Sequence, residues 1–355
     1  MDHLLGLLDV TVDIATPFLV VDGAIVTSNI EQMQDFCTRA GVALRPHIKT
    51  HKSSRVARMQ LSAGAAGATV ATLSEAIRLG EGGIATDVFL STPVFYDRPK
   101  SALLDQAVRL HPAVSVAVDS HEVIGSLAGA PETVTVMVEL DSGMDRTGVD
   151  PEMAVELAEA SGHRFRGFFT HGGHGYAPAG ADRAGTDEVE VLASAAAQHG
   201  GEMILSAGST PTVRFSGRSP VTEERPGTYV YGDRQQLVLG AVEPSQLAAA
   251  VVTTVIHSAD GKIVLDAGAK VLTKDRAPFL DGHGLVLGGS EILIDRLNDQ
   301  HGMARMISGP RPPVGQRLIV VPNHICPVVN LFDEVVVVRD GKPVSSPVDL
   351  RGLPA

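Results

Sequence analysis

The stretch Leu44-Arg45-Pro46-His47-Ile48-Lys49-Thr50-His51-Lys52 follows a short apolar run, Val42–Leu44, that predicts a β-strand. Pro46 has no backbone N–H, so regular strand pairing is expected to end near it. Lys49 then lies just past the strand end, among other cationic side chains. Cationic neighbours or desolvation lower the pKa of a lysine, which makes its amine a usable nucleophile toward a carbonyl. The alternative interpretation is a basic surface turn.

Outward from this strand, β-prone runs alternate with segments of helical spacing. Strands are predicted to start near residues 42, 68, 87, 115, 135, 165, 203 and 227. Such alternation predicts parallel βα units, and eight units in roughly 200 to 250 residues is the size of a closed barrel. We therefore predict a (β/α)8 TIM-type barrel over residues 23–238. An open doubly wound sheet is the alternative, but no GxGxxG follows a strand and opens a helix.

After about residue 240 the helical pattern stops, and β-branched runs at Val251–His257, Lys262–Asp266, Arg317–Val321 and Glu334–Arg339 take its place. These runs predict a second, mostly antiparallel β domain. We assign residues 1–22 and 239–355 to it.

The composition is that of an ordinary globular protein of 355 residues, 44% hydrophobic and 20% charged, with a formal net charge of -12. The acidic balance argues against nucleic acid or an anionic membrane as a partner. Cys37 and Cys326 make no disulfide framework, residues 1–38 hold no Lys or Arg, and no apolar run could span a bilayer. We expect a cytoplasmic protein without a signal peptide.

Polar and glycine-rich segments follow the predicted strands, where barrels place their chemistry. After the seventh strand, Gly208, Ser209 and Thr210 offer backbone N–H groups and hydroxyls, and Gly208 has no Cβ to block an anion. Gly227 and Thr228 could add donors from the eighth loop. An isolated Gly-Ser-Thr is usually only a turn. A phosphate site facing an activated lysine nevertheless suggests a phosphorylated carbonyl compound, and pyridoxal 5'-phosphate fits both features.

Three further side chains follow the fifth and sixth strands. Arg146 lies in a glycine-bracketed loop, where its guanidinium could bond the phenolic oxygen of the cofactor; a salt bridge to Asp141 or Asp145 is the alternative. His171 and His174 could be acid/base groups or cofactor neighbours, or hydrogen-bonded structural histidines.

The segment Pro322–Pro327 carries His324 and Cys326. If this segment is a strand, positions i and i+2 point to the same face. A histidine and a cysteine make half of a zinc site and leave room for substrate and water. An isolated buried cysteine is the plainer interpretation. The polar segment Asn298–Gly302 could border the same site or form a turn.

Taken in order, these motifs resemble the pyridoxal-phosphate enzymes with an alanine-racemase-type barrel, and specifically the D-serine dehydratase and D-threonine aldolase family. The resemblance covers nearly the whole chain. It rests on Arg45–Lys52, Asp141–Gly148, His171–His174 with Tyr176, Gly208–Pro211, Pro226–Tyr229, Asp266–Lys270 and Pro322–Cys326.

The resemblance implies that Lys49 holds the cofactor aldehyde and that Arg146 contacts its ring oxygen. It implies a phosphate cup of Gly208, Ser209, Thr210, Gly227 and Thr228, with Tyr229 beside it. Thr170, His171 and Tyr176 are the candidates for facing the pyridine nitrogen. It also implies His324 and Cys326 as ligands of a divalent metal, and a homodimer.

The His-x-Cys pair is more similar to the dehydratase branch, because the aldolase branch tends to carry His-x-Asp. A thiolate favours zinc, whereas a carboxylate suits manganese or magnesium. One departure is Asp299-Gln300-His301-Gly302, where the family often shows Glu-Glu-His-Gly; the lost carboxylate could alter substrate choice or the metal environment.

We therefore predict a lyase acting on a 3-hydroxy-D-amino acid, by β-elimination to a 2-oxo acid and ammonia. Retro-aldol cleavage to glycine and an aldehyde is the main alternative. A racemase has no need of the metal pair. A pyridoxal-phosphate carrier without turnover and a cofactor-free Schiff-base aldolase are further alternatives.

Overall fold

A computed structural model of the chain describes residues 1–259 and 261–352. It divides into two compact units. The barrel unit is Ile30–Gly227 with the chain from Asp349 onward, and the second unit is Met1–Asn29 with Thr228–Val348. Residues 23–29 and 228–238, predicted as barrel, group with the second unit.

The strands of the described residues are β1 (Phe18–Asp22), β2 (Ala43–Leu44), β3 (Ala68–Val70), β4 (Asp87–Leu90), β5 (Ala113–Val118), β6 (Val134–Leu140), β7 (Phe165–Thr170), β8 (Ile204–Ala207), β9 (Glu223–Glu224), β10 (Ala249–Ala259), β11 (Lys262–Leu265), β12 (Leu285–Leu287), β13 (Glu291–Leu297), β14 (Gly302–Ser308), β15 (Arg317–Val321), β16 (Glu334–Arg339) and β17 (Lys342–Pro347).

The α-helices are α1 (Asp2–Val10), α2 (Gly23–Ala40), α3 (Ser54–Ser62), α4 (Leu73–Glu81), α5 (Arg98–Leu110), α6 (His121–Ser126), α7 (Pro151–Ser161), α8 (Ala181–His199), α9 (Val213–Ser216), α10 (Arg234–Val238), α11 (Ala269–Leu272) and α12 (Ile325–Val329).

The barrel unit contains an eight-stranded parallel sheet in the order β2-β9-β8-β7-β6-β5-β4-β3. Its two ends meet through a parallel bridge between His47 and Thr69. Ile48 N–H donates to the Thr69 carbonyl at 2.9 Å, and Thr69 N–H donates to the Pro46 carbonyl at 2.9 Å. These bonds close the sheet, so the predicted (β/α)8 barrel is confirmed. They also show that Pro46 ends the regular ladder while its carbonyl still pairs.

The eighth strand differs from the prediction. Glu223–Glu224 forms it, and the predicted strand from Thr228 is a 3-10 helix, Thr228–Val230. The eighth strand consists of charged residues whose partners are distant in sequence. The segment Pro226–Tyr229 nevertheless follows the eighth strand, as predicted.

Helices α3 to α7 begin at hydrogen-bonding caps, which stabilise a helix by about 1 kcal/mol each. The capping side chains are Ser53, Thr72, Asp97, Ser120 and Asp150. Helix α4 continues through Gly80 to Glu81. A Cβ on Gly80 would lie 2.5 Å from the Leu110 Cβ, so this glycine permits close packing of α4 on α5.

The second unit contains a nine-stranded sheet with the main order β13-β14-β11-β10-β1-β16-β17, and β15 pairs with both β10 and β12. Its pairs are antiparallel apart from β1 with β16. The mostly antiparallel β domain is therefore confirmed. Helix α1 adds Leu4 and Leu7 to its apolar core. Within the described chain, no helix has both the length and the apolar character needed to cross a membrane.

Candidate active site and metal loop

Lys49 lies in the turn that follows β2, and its side chain is partly buried. Its N–H is 3.4 Å from the His47 Nδ1. The positive charge of Lys49 lowers the pKa of both His47 and His171, so the ammonium group lies within electrostatic range of both rings. The structure thus brings two of the predicted site residues, Lys49 and His171, together at one end of the barrel.

His47 and His171 are neutral at this barrel end. Burial lowers the pKa of His171 to about 3, assisted by the charges of Lys49, Arg225 and Arg146. Burial and the charge of Lys49 also hold the pKa of His47 well below its usual value. Neither ring therefore carries charge at neutral pH. The positive charge at this site comes from Lys49 and the two arginines.

His51 and Lys52, predicted to crowd Lys49, have structural partners of their own. The His51 ring shares a hydrogen bond with Gln60 at 3.2 Å and accepts the Ser53 N–H at 3.1 Å. Burial lowers the pKa of His51 to about 4. Lys52 Nζ donates to Glu75 Oε1 at 2.6 Å. Of the two histidines in the predicted basic cluster, His47 is the one whose pKa the charge of Lys49 lowers.

Arg225 is a site residue that the sequence-based prediction missed. It directly follows β9 and is buried. Its Nη1 donates to Ser206 Oγ at 2.6 Å, and its Nη2 donates to the Thr170 carbonyl. Its guanidinium carbon lies 5.3 Å from the centre of the Phe169 ring. A buried cation with these fixed contacts forms part of the polar lining near Lys49.

An ion network continues from Arg225 through the barrel interior. Ser206 Oγ donates to Glu223 Oε1 at 2.6 Å, and Arg45 Nε donates to Glu223 Oε2 at 2.7 Å. Arg45 also reaches Asp87 at 3.1 Å, and Asp87 pairs with Arg166 at 2.5 Å. Since buried charges require partners, the charged run Glu223-Glu224-Arg225 was the available sequence signal for these residues.

Arg146 has a different partner from those expected. Its Nη2 lies 3.8 Å from Glu139 Oε1, near the end of β6. Asp141 instead accepts the N–H groups of Gly143 and Met144, both at 2.9 Å. Burial raises the pKa of Glu139 to about 7, against the opposing charge of Arg146. Glu139 is thus a second group that sequence reasoning missed.

The remaining candidates, Thr170, Tyr176 and His174, lie at or after the end of β7 and have different neighbours. The Thr170 hydroxyl is buried and hydrogen-bonded to the Leu140 carbonyl at 2.7 Å. The Tyr176 ring lies 6.1 Å from the His171 ring. The His174 ring is 3.1 Å from Asp187 on α8, so its described ion-pair partner lies on a helix rather than in the cluster around Lys49.

The Gly208 turn has fewer available donors than predicted. Gly208 N–H donates to Glu188 Oε1 at 3.0 Å, and Ser209 N–H donates to Thr212 Oγ1 at 3.0 Å. The space expected for an anion beside Gly208 contains the Glu224 carboxyl, which lies 1.8 Å from where a Cβ would be. The hydroxyls of Ser209 and Thr210 are buried on this turn, and Ser209 Oγ lies 2.9 Å from Thr212 Oγ1.

Gly227 belongs to the barrel end for a steric reason. A Cβ there would lie 2.9 Å from the His47 carbonyl oxygen and 3.1 Å from Thr50 Oγ1. Without one, the loop after β9 can approach the Lys49 turn. Thr228 and Tyr229 follow directly in sequence and are buried in the second unit.

These residues fit an anionic aldehyde cofactor. The donor set contains one primary amine, Lys49, and two guanidinium groups that both act on the pKa of His171. Neutral histidines and hydroxyls complete it. A carbonyl suits the amine and a phosphate suits the positive charge.

The His324–Cys326 segment is not a strand, so the predicted reason for the proximity of the two side chains is wrong. Strand β15 ends at Val321, His324 is the N-cap of α12, and Cys326 lies in its first turn. The side chains do meet. Although burial opposes it, a hydrogen bond with Cys326 raises the pKa of His324 to about 10. Thr228 Oγ1 lies 3.9 Å from Cys326 Sγ.

Two polar side chains hold this loop in place. Asp233 Oδ2 accepts the Ile325 N–H at 3.0 Å, and its Oδ1 accepts the Gln236 N–H at 2.8 Å. Asn323 accepts the Gly284 N–H at 3.0 Å and donates to the Gly282 carbonyl at 2.9 Å. The backbone on either side of His324 is therefore fixed.

Asp275 orients the His324 ring. Its Oδ2 lies 2.6 Å from His324 Nδ1, which leaves Nε2 for another partner. A carboxylate on the second ring nitrogen is the usual arrangement behind a metal-bound histidine. Within the part of the chain that the structure describes, no three His, Cys, Asp or Glu side chains converge as a metal cage. The pair His324 and Cys326 fits a site completed by other ligands.

The Asn298–Gly302 segment forms a turn. Asn298 N–H donates to the His301 carbonyl at 2.9 Å, and the Asn298 carbonyl accepts the Ala269 N–H at 2.8 Å. A Cβ on Gly268 would lie 2.4 Å from the Asn298 oxygen. The predicted Asp266–Lys270 motif therefore supports this turn through the close approach that Gly268 permits.

Comparison with known proteins gives two matching domain families. Residues 21–235 match the alanine racemase N-terminal domain, and residues 248–338 match a putative serine dehydratase domain. The chain is 32% identical to D-threonine aldolase of Arthrobacter sp, over 92% of this chain and 89% of the relative. It is 27% identical to D-serine dehydratase of Schizosaccharomyces pombe, over 88% and 86%.

D-threo-3-hydroxyaspartate dehydratase of Delftia sp. is 32% identical over 90% of this chain and 92% of its own. Its solved structure superposes with a TM-score of 0.84 at 29% identity, covering 94% of this chain and 97% of that one. Solved variants of a D-threo-3-hydroxyaspartate dehydratase, each 28% identical to this chain, replace a histidine and a cysteine two positions apart, and the cysteine variant is in the metal-free form.

Proposed function

The chain belongs to the D-serine dehydratase and D-threonine aldolase family of pyridoxal-phosphate enzymes, and on that premise we propose that it is a metal-dependent lyase of 3-hydroxy-D-amino acids. The proposed reaction is β-elimination to a 2-oxo acid and ammonia. The observation that carries the proposal is the position of Lys49, a primary amine in the turn after β2 whose positive charge acts on two buried histidines at the barrel end.

The residues at the barrel end have different proposed roles in the reaction. Bound pyridoxal phosphate supplies an electron sink for the carbanion at the substrate α-carbon. Lys49 would hold its aldehyde, and its amine is the proposed base for the substrate α-proton. Neutral His171 neither competes for that proton nor adds charge. Arg146 and Arg225 supply the positive charge that an anionic cofactor and a carboxylate substrate require.

His324 and Cys326 would hold the divalent metal, which we propose to be zinc because a thiolate is a soft ligand. The metal supplies Lewis acidity toward the 3-hydroxyl leaving group. Asp275 fixes the ring orientation of His324 at 2.6 Å. The metal-free cysteine variant of a D-threo-3-hydroxyaspartate dehydratase supports this role, because its histidine and cysteine have the spacing of His324 and Cys326.

Retro-aldol cleavage is the second candidate, favoured by the full-length similarity to D-threonine aldolase. D-Threonine separates the two reactions. Elimination yields 2-oxobutanoate and ammonia, whereas cleavage yields glycine and acetaldehyde. We expect 2-oxo acid and ammonia from D-threonine, D-serine or 3-hydroxy-D-aspartate, with added zinc. Glycine as the main product would replace the dehydratase assignment by the aldolase one, and no product from any of them would reject both.

The metal role has its own test. Cys326→Ala should lower bound zinc below one equivalent and reduce turnover by about a hundredfold, the upper end of the effect of disturbing a metal site. Cys37→Ala is the matched control, because Cys37 is the second cysteine of the chain and lies in the core of the barrel unit. This variant should retain metal and turnover. Full turnover of Cys326→Ala after treatment with a chelator would show that elimination needs no metal here.

We also propose a cytoplasmic homodimer. Neither Cys37 nor Cys326 forms a disulfide within the described residues, and the family resemblance suggests a dimer. Light scattering of the purified chain would test the assembly, and a monomeric mass with full activity would contradict it.

A further inference from the structure

Two buried carboxyl groups lie on either side of Gly208. Glu188 of α8 uses a single oxygen, Oε1, to accept the N–H of Gly208 at 3.0 Å and the N–H of Gly172 at 2.7 Å. One carboxyl thus joins two loops that follow different strands. Gly172 directly follows His171, and Gly208 directly precedes Ser209. Glu188 therefore connects the histidine near Lys49 to the predicted phosphate turn.

The second carboxyl, Glu224, occupies the other side of Gly208. Its Oε2 lies 1.8 Å from the position that a Cβ on Gly208 would take, and Gly208 has a φ of +97°. A Cβ on Gly172 would lie 2.8 Å from Glu188 Cδ. Both glycines are required because carboxyl groups pack against their backbone, which is a reason independent of any bound anion.

The two carboxyls differ in their hydrogen bonding. Both are fully buried. Burial raises the pKa of Glu188, while the Thr212 side chain and two backbone N–H groups favour its ionised form. Glu224 has the Ser216 side chain as a partner but accepts no backbone N–H among the described residues. Burial and the charge of Glu188 raise the pKa of Glu224 well above its usual value. Two neighbouring buried carboxylates do not both ionise, so Glu224 is the member that keeps the proton.

We propose that Glu188 is a positioning residue that ties the loop after His171 to the turn of Ser209, as the charged member of a carboxyl pair whose other member is protonated Glu224. The expected effect on cofactor binding rests on the proposed function. The hydrogen bonds from Gly172 and Gly208 to Glu188, and the proton on Glu224, do not depend on it.

Amide exchange in the full-length chain tests the connection directly. Glu188→Ala should speed exchange in the peptides that contain Gly172 and Gly208, before and after pyridoxal phosphate is added. It should also weaken pyridoxal phosphate binding about tenfold or more, since two buried donors lose their acceptor. Glu188→Gln keeps the acceptor oxygen and should restore binding to within about threefold. Glu190→Ala, on the exposed face of the same helix, should change neither quantity.

Glu224 provides the complementary test. Glu224→Gln resembles the protonated acid and should leave binding within about twofold of the wild type. In infrared spectra at pH 8, this substitution should remove a protonated-carboxyl band that Glu190→Gln retains. A loss of binding as large as that of Glu188→Ala, or an unchanged band, would overturn the assigned proton.

Failure of the two proposals can be told apart. If the wild type binds no pyridoxal phosphate, the proposed function fails while exchange and infrared spectra still report on the carboxyl pair. If the wild type binds it but Glu188→Ala changes neither exchange nor affinity, the positioning role alone fails. Should Glu188→Ala not fold, Glu188→Asp withdraws the same oxygen by one methylene, and unchanged exchange in it would equally reject the role.

Discussion

At the barrel end, burial and the charges of Lys49 and Arg225 determine the protonation of His47 and His171. In the second unit, hydrogen bonds of 2.6 to 3.0 Å fix the backbone and the ring around His324. The first arrangement sets protonation states. The second sets the direction of a ligand atom. A reacting amine depends on its charge, and a metal ligand depends on its geometry, so the two regions are built for different kinds of chemistry.

Removing the amine is expected to give the largest effect. Lys49→Ala should lower turnover by about a thousandfold or more, because it deletes both the covalent anchor and the proposed base. Borohydride reduction of the wild type with pyridoxal phosphate, followed by peptide mapping, should place the adduct on Lys49. Lys52→Ala is the matched control: it loses the 2.6 Å bond to Glu75 but should keep the adduct on Lys49. An adduct on another lysine would show that Lys49 is not the reacting amine, which the comparison assumes.

The geometric side of the comparison is tested by Asp275→Asn. The amide keeps the size of the side chain but no longer presents a charged acceptor to His324 Nδ1. We expect zinc affinity to fall by about 10- to 100-fold, as for other partners behind a metal ligand. The readout is competition with a chromophoric chelator. Asp281→Asn, on an exposed residue six positions later, should change affinity by less than about twofold. Equal affinities in both variants would mean that the loop alone fixes the ring.

The barrel could be predicted from sequence because its signals are local. Apolar strands and capped helices alternate, and the strands near residues 68, 87 and 165 begin where predicted. The eighth strand could not be found this way. Glu223 and Glu224 are charged, and the salt bridge that buries Glu223 comes from Arg45, 178 positions away. A local pattern does not contain that partner.

The same limit applies to the candidate site. Lys49 and His171 were found because they follow predicted strands. Glu139 lies within a strand and Arg225 directly follows one; both were missed because a charged residue in such a position gives no sign of its buried partners. For Cys326, the apolar run suggested a strand, but the Ile325 N–H is capped by Asp233, 92 positions earlier. Pro327 in the first turn of α12 was the local signal for a helix, since proline is tolerated there.

The smallest expected effect tests the electrostatic side. The pKa of Glu139 is raised from 4.5 to about 7 by burial. Between these values the folded chain retains a proton that the unfolded chain has released, so stability falls as the pH rises through this window. Glu139→Gln cannot ionise and should lose this dependence. Its free energy of unfolding, relative to the wild type, should therefore increase by about 2 kcal/mol between pH 5 and pH 8.

Urea unfolding of both proteins at the two pH values measures this difference. Glu132→Gln is the control, because that side chain is 81% exposed. If Glu139→Gln and the wild type show the same pH dependence, Glu139 ionises as readily in the fold as in water. Arg146, whose Nη2 lies 3.8 Å away, would then offset its burial completely. In that case a specific partner, Arg146, would fix the charge of Glu139, much as Asp275 fixes the ring of His324. The contrast between the two regions would then apply only to Lys49, His47 and His171.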